Sequence, residues 1–239
     1  GGLMTVAQSY HFNPLADNEY QGDTLSFDMT IQADQMTQGN GGESAGVKWT
    51  ARTAPKLQWT SIAFGASKFV AVAQQDDGVG GINLVMTSSD NGETWNQRNA
   101  PQGDWRGVTY GDNKFVAVSK TGKVMTSSDG IDWALQTAPV HDWRSVTYGA
   151  DKFVAVAYDG GVMTSTDGIS WVPATGVVNY LRSVTYGYNT FVAVASYGDQ
   201  VMISSDGINW IAKNVPHGQW MSVIYGDNKF VAVAKEGGE

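Results

Sequence analysis

Cysteine is absent from the 239 residues, which excludes disulfides, thiolate metal sites and cysteine nucleophiles. Charge is sparse as well: Asp, Glu, Lys and Arg make up 16% of the chain, and 23 acids against 15 bases leave a net charge of −8. No basic run interrupts that balance, so a nucleic-acid backbone is not the expected partner. No apolar run approaches the roughly 18 residues of a membrane-spanning helix. The first residues lack the charged-then-apolar order of a secretory leader. Helical periodicity is missing throughout.

What is abundant is glycine, at 29 residues, with 9 Trp and 10 Tyr on a background that is 42% apolar. That composition suits many short strands joined by tight turns around a sizeable core. The chain is also repetitive. The segment WRSVTYGADKFVAVAYDGGVMTSTDGISW runs from Trp143 to Trp171, and its relatives begin at Trp59, Trp105, Leu181 and Trp220. The steps between the five starts are 46, 38, 38 and 39 residues, and Phe69, Phe115, Phe153, Phe191 and Phe230 follow with the same steps. An insertion around QQDDGVGGINL accounts for the long first step.

Each unit reads as four strands: SVTYG, then KFVAVA (apolar on both faces, as a sandwiched strand should be), then VMTS, a DG turn, and a fourth strand carrying Trp. Four short strands in such a period are the mark of a β-propeller blade. First and second strands occur five times. Third strands, marked by Met86, Met125, Met163 and Met202, and fourth strands, marked by Trp95, Trp133, Trp171 and Trp210, occur four times within the run. GGLMT, with Met4, and VKWTARTAP, with Trp49, supply the missing pair from the other end of the chain. The expected fold is therefore all-β: a single five-bladed β-propeller over 1–239, closed by the N- and C-terminal segments sharing one blade. Between Thr5 and Trp49 lie 43 residues where only 6 separate Thr164 from Trp171, which predicts an inserted arm or loop at about 9–45.

SSDNGETW at 88–95 fits the pattern S-x-D-x-G-x-T-W, and SSDGIDW, STDGISW and SSDGINW are shorter forms with Asp129, Asp167 and Asp206 in register with Asp90. The chain thereby resembles the Asp-box propellers of the bacterial neuraminidase repeat. The resemblance implies that these turns lie opposite the active face, so Asp90, Asp129, Asp167 and Asp206 are expected to be structural. Their chemistry agrees: an Asp-Gly turn bonds its own backbone amides while Gly takes a positive φ.

The resemblance also raises glycoside hydrolysis. A sialidase-like site would need a tyrosine nucleophile with a Glu, an acidic Asp, and three arginines gripping a carboxylate. Arg106, Arg144 and Arg182 are present, but they are repeat-equivalent, as are Tyr110, Tyr148, Tyr186 and Tyr225. No asymmetric carboxylate pair stands out, and five blades depart from that family's six. No catalytic residue, metal site or cofactor is therefore expected. His11, His141 and His217 lack ligand spacing, and Asp76 with Asp77 is a weak Ca²⁺ signal.

The loops leading into each first strand and those between second and third strands share one face. They carry a recurrent P-x-x-x-W: Pro55/Trp59, Pro101/Trp105, Pro139/Trp143 and Pro216/Trp220, with Asp104 or Asp142 before two of the tryptophans and Arg106 or Arg144 after them. Aromatic plates flanked by Asp and Arg suit a sugar, and Tyr158 and Tyr197 stand on neighbouring loops. Inter-blade packing is the competing role for the tryptophans. In the Leu181 unit the Trp and Pro are missing, which is expected to weaken any shared site there. The arrangement is similar to that of five-bladed propeller lectins. The expectation is a non-catalytic glycan-binding or adhesion module, extracellular or on a virion surface. The alternatives are a structural or display protein of a phage virion or cell surface, assembling with itself or a protein partner through 9–45, and a sialidase-like hydrolase.

Overall fold

The computed structural model describes residues 50–74, 84–174 and 180–237. No helix occurs among them, and five antiparallel sheets follow one another along the chain. The first holds β1 (Trp59–Gly65), β2 (Lys68–Ala73), β3 (Val85–Ser88) and β4 (Asn96–Arg98); the second holds β5 (Trp105–Gly111), β6 (Lys114–Ser119), β7 (Val124–Ser127) and β8 (Ala134–Gln136). The third holds β9 (Trp143–Gly149), β10 (Lys152–Ala157), β11 (Val162–Ser165) and β12 (Val172–Pro173). The fourth holds β13 (Leu181–Gly187), β14 (Thr190–Ala195), β15 (Gln200–Ser204) and β16 (Ile211–Asn214). β17 (Gly218–Gly226) and β18 (Lys229–Gly237) form a two-stranded fifth sheet.

The first-to-second connection is a two-residue hairpin with both residues at positive φ: Ala66 and Ser67, Asp112 and Asn113, Ala150 and Asp151, Tyr188 and Asn189, Asp227 and Asn228. Two consecutive positive φ values match the right-handed strand twist, as in a type I′ turn. The second strand reads as a sandwiched strand should. Phe115 and Ala117 of β6 pack with Val70 and Val72 of the preceding sheet, while Val116 and Val118 pack with Trp143, Val146 and Phe153 of the following one. The same pattern joins the third sheet to the fourth, and the fourth to β17. Each Val so buried contributes about 1.5–3 kcal/mol, and the core is a series of such inter-sheet layers rather than one central mass.

The first strands stand side by side along the series, with β1 against β5, β5 against β9, β9 against β13, and β13 against β17. They approach closely enough for the Ser61, Ser145 and Ser183 hydroxyls to accept from the amides of Val108, Val184 and Val223, at 3.1, 3.2 and 3.2 Å. Tyr110, Tyr148, Tyr186 and Tyr225 each cover the glycine that ends the preceding first strand, Gly65, Gly111, Gly149 and Gly187. Among the described residues nothing covers the faces of the fifth and first sheets that would continue the series: Phe64, Val231 and Val233 are exposed, and no described atom stands within 4 Å of a Cβ on Gly226.

The segment expected to provide the fourth strand of the fifth blade is described only from Thr50 onward, and residues 50–55 form no strand. A fourth strand needs a third to pair with, and GGLMT lies outside the described residues. So do the expected 9–45 arm, the QQDDGVGGINL insertion apart from Gln74 and Leu84, His11, Asp76 and Asp77.

The Asp-Gly turns have the expected chemistry. Asp129 Oδ1 accepts from the Ile131 and Asp132 amides at 2.8 and 3.0 Å, and Asp167 and Asp206 repeat the arrangement. Gly130, Gly168 and Gly207 have φ of 75, 71 and 73° and present their carbonyls to the indole N–H of Trp133, Trp171 and Trp210. Hydrogen bonds from Thr94 and Ser88 lower the Asp90 pKa to about 2, and amide donors lower Asp129, Asp167 and Asp206. The acids are turn clasps, on the face that also carries the first-to-second hairpins.

Candidate functional site

Each first strand carries a β-bulge at the residue that follows its Trp or Leu. In the second sheet Trp105 pairs with Ser119 and Gly107 with Val118, which leaves Arg106 unpaired between them. The same offset isolates Thr60, Arg144, Arg182 and Met221. A bulge re-aims the extra side chain, and these five residues, one from each first strand, line one cavity of about 220 Å³. Its mouth opens on the face of the loops that enter the first strands and link second to third strands.

The three arginines are not equivalent once placed. Arg106 gives one terminal nitrogen to Asp104 at 2.9 Å, and Arg144 gives one to Asp142 at 2.6 Å. The buried Nε of both arginines and the Oδ1 of both aspartates have no hydrogen-bond partner in the described structure. In the fourth sheet the position of the aspartate is taken by Tyr180, and Arg182 is held from its other edge, by an Nε bond to the Ser196 hydroxyl. Its terminal nitrogens have no carboxylate among the described residues.

A chain of three tyrosines begins at Arg182. The guanidiniums of Arg144 and Arg182 lie 5.1 and 5.0 Å from the centroid of the Tyr158 ring. Tyr180 meets Tyr158 edge-on at 5.1 Å and Tyr197 edge-on at 5.3 Å. Tyr180 and Tyr197 are exposed, and Tyr180 has a φ of 69°, a conformation a tyrosine keeps only when its surroundings impose it. They do: its amide donates to the Tyr158 carbonyl and its carbonyl accepts from the Ser196 amide, at 2.6 and 2.8 Å.

Sequence reasoning offers the tryptophans as sugar plates, with inter-blade packing as the competing role, and for Trp105 and Trp143 the structure decides for packing. Trp105 and Trp143 are fully buried, and their indole N–H groups donate to the carbonyls of Pro101 and Pro139, both at 3.0 Å. Trp59 makes the same bond to Pro55 and is half-buried, as is Trp220. In the Trp59, Trp105 and Trp143 copies P-x-x-x-W is thus a peg and the carbonyl that satisfies it, while the buried Trp220 indole N–H has no partner in the described structure, and a fully buried ring offers no face to a ligand. Leu181 fills the equivalent place at full burial. Of the other expected residues, Arg106, Arg144 and Arg182 converge on the funnel, Asp104 and Asp142 stand beside it as ion-pair partners, and Tyr158 and Tyr197 join the fourth-sheet cluster. Tyr180 and Ser196 escape sequence reasoning, although the replacement of Asp by Tyr at one repeat position was the available signal. His141 is tied to Asp159 at 3.1 Å and packs edge-on against Trp143.

No family model matches the chain, and no curated protein matches it. Among solved structures it is similar to YCF48 bound to D1 peptide (TM-score 0.58, 16% identity, 74% of this chain and 60% of that one). It is also similar to a streptogramin B lyase (0.60, 12%, 74% and 76%) and to a chain of a nidogen/laminin complex (0.58, 12%, 72% and 69%). This chain thus spans less than two thirds of the YCF48 chain. At these identities the likeness shows the fold: a β-propeller built of repeated four-stranded antiparallel sheets.

Proposed function

We propose that this chain is a non-catalytic glycan-binding or adhesion propeller of the Asp-box type, acting outside the cell or on a virion surface, whose ligand enters the arginine-lined mouth. The observation that carries the reading is the convergence of the bulge residues on one funnel with exposed tyrosines at its rim. Guanidiniums supply forked donors for sugar oxygens, and tyrosines supply apolar faces for ring C–H groups. Against hydrolysis stands the placement of the tyrosines Tyr110, Tyr148, Tyr186 and Tyr225. They cover glycines at the far end of the strands whose beginnings bear Arg106, Arg144 and Arg182, so no funnel arginine faces a candidate tyrosine nucleophile of that set.

The same proposal includes a ring closed at five blades. The fifth and first sheets present the two halves of an interface that the chain already makes four times. Val231 and Val233 occupy the places of Val192 and Val194, Gly226 that of Gly187, and Phe64 that of Tyr225. Closure lays Phe64 over Gly226 and brings the Ile62 amide to the Ser222 hydroxyl.

The test is a glycan array run beside a peptide array, with wild type and Tyr197→Ala. Selective glycan binding that Tyr197→Ala weakens supports the reading. Selective peptide binding, or silence on both arrays from folded protein, overturns it.

A further inference from the structure

Among the three sheets that bring an arginine to the funnel, the fourth breaks the pattern, and there the chemistry changes sign. In the second and third sheets an aspartate takes the terminal edge of the arginine, so each pair is neutral. In the fourth, Tyr180 replaces the aspartate, and Ser196 holds Arg182 by Nε alone. Among the described residues no carboxylate takes the forked terminal edge of Arg182, which is thereby oriented and available. We propose that Arg182, Ser196, Tyr158, Tyr180 and Tyr197 form one seat for a sugar ring that carries a carboxylate, a uronic-acid type of residue. This rests on the glycan reading and deepens it.

A guanidinium fork matches a carboxylate in two parallel hydrogen bonds, which an ammonium cannot do. Fixing the Arg182 side chain through Ser196 and the Tyr158 ring removes much of the rotamer freedom that binding would otherwise cost. The tyrosine chain provides the second requirement, an apolar surface beside the charge. Tyr180 and Tyr197 are both exposed, and the constrained backbone of Tyr180 holds its ring between the other two. A ligand with only a charge would not use the tyrosines, and a neutral sugar would not use the open fork. In a chain of net charge −8, an uncompensated guanidinium in the funnel also makes this the local exception that draws an anion inward.

The probes are methyl glucuronide and methyl glucoside, which differ at one carbon, a carboxylate against a hydroxymethyl. Binding is followed by ligand-detected NMR titration of the full chain, with folding of every variant checked by circular dichroism. The glucuronide is expected to bind at least about tenfold more tightly than the glucoside, as one charge-assisted fork requires. Arg182→Gln is expected to erase that preference, and Arg182→Lys to restore only part of it. Tyr197→Ala is expected to weaken the glucuronide, and Tyr188→Ala, on the opposite face, to leave it unchanged. Equal binding of the two sugars, or a preference that survives Arg182→Gln in folded protein, overturns the carboxylate seat while leaving the glycan reading standing. Binding of neither sugar overturns the seat, and a silent glycan array beside it then removes the wider reading too.

Discussion

The ring of Tyr225 stands where a side chain on Gly187 would begin: a Cβ there would lie 2.0 Å from the Tyr225 Cγ. Gly187 has no positive φ to explain its identity, so the constraint is the neighbouring blade. Gly187→Ala is expected to force the Tyr225 ring off its seat and to destabilise the fold by about 1–3 kcal/mol or more, read from the denaturant midpoint.

Gly226 gives the matching test of closure. Among the described residues nothing stands within 4 Å of its Cβ position. If Phe64 closes the ring over it, Gly226→Ala should lower stability as Gly187→Ala does, and Phe64→Ala should remove most of that penalty in the double variant. Additive losses from the two substitutions would show that Phe64 and Gly226 do not meet.

The turn acids predict an acid-side loss of stability. Their folded pKa values lie below the ordinary aspartate value of 3.8, with Asp90 at about 2. A depressed folded pKa contributes stability that is present above the unfolded pKa and is lost as pH falls through the folded one. Stability should therefore be level from neutral pH to about pH 5 and fall below about pH 4. Asp206→Asn, which removes a carboxylate accepting two backbone amides, should be less stable than wild type at pH 7. The gap should narrow as the pH drops, measured by denaturant titration across pH.

The tryptophans should behave as core. Trp143→Ala is expected to cost about 3–5 kcal/mol. Trp143→Phe would keep the apolar body but leave the Pro139 carbonyl without its indole donor, for about 1–3 kcal/mol. A folded, fully stable Trp143→Ala variant that lost ligand binding would return the ring to the binding surface.

The ion-paired arginines set a background that can be lifted. Asp142→Asn removes the carboxylate 2.6 Å from Arg144, beside Tyr158 and Arg182. It should tighten binding of an acidic ligand severalfold and leave a neutral one unaffected, with the gain shrinking as salt is raised. Calorimetric titration at two ionic strengths checks both parts.

Much of this architecture was legible because it is repeated. The KFVAVA runs, the Asp-Gly turns and the five starts from Trp59 to Trp220 fix strand order, register and the structural role of Asp90, Asp129, Asp167 and Asp206. The funnel was legible only as three aligned arginines. That Arg106, Arg144 and Arg182 sit on bulges is a property of two paired strands, and one strand's sequence does not show it. P-x-x-x-W reads equally well as a plate or a peg until the indole of Trp105 is seen bonded to the carbonyl of Pro101. The Leu181 unit reads as a weakened copy because its Trp and Pro are missing. Yet Leu181 keeps the core filled, and the change that matters is one residue earlier, where Tyr180 stands in place of an aspartate. The proposed closure rests on Phe64 and Gly226, which are far apart in sequence and belong to the two end sheets of the series.

The central claim is that the arginine-lined mouth is the binding site. The most direct measurement follows the side-chain Nε–H resonances of Arg106, Arg144 and Arg182 by NMR while methyl glucuronide is added. The account predicts saturable shifts, largest at Arg182, smaller at Arg144 and least at Arg106. Saturable binding that leaves all three guanidiniums unmoved would contradict it.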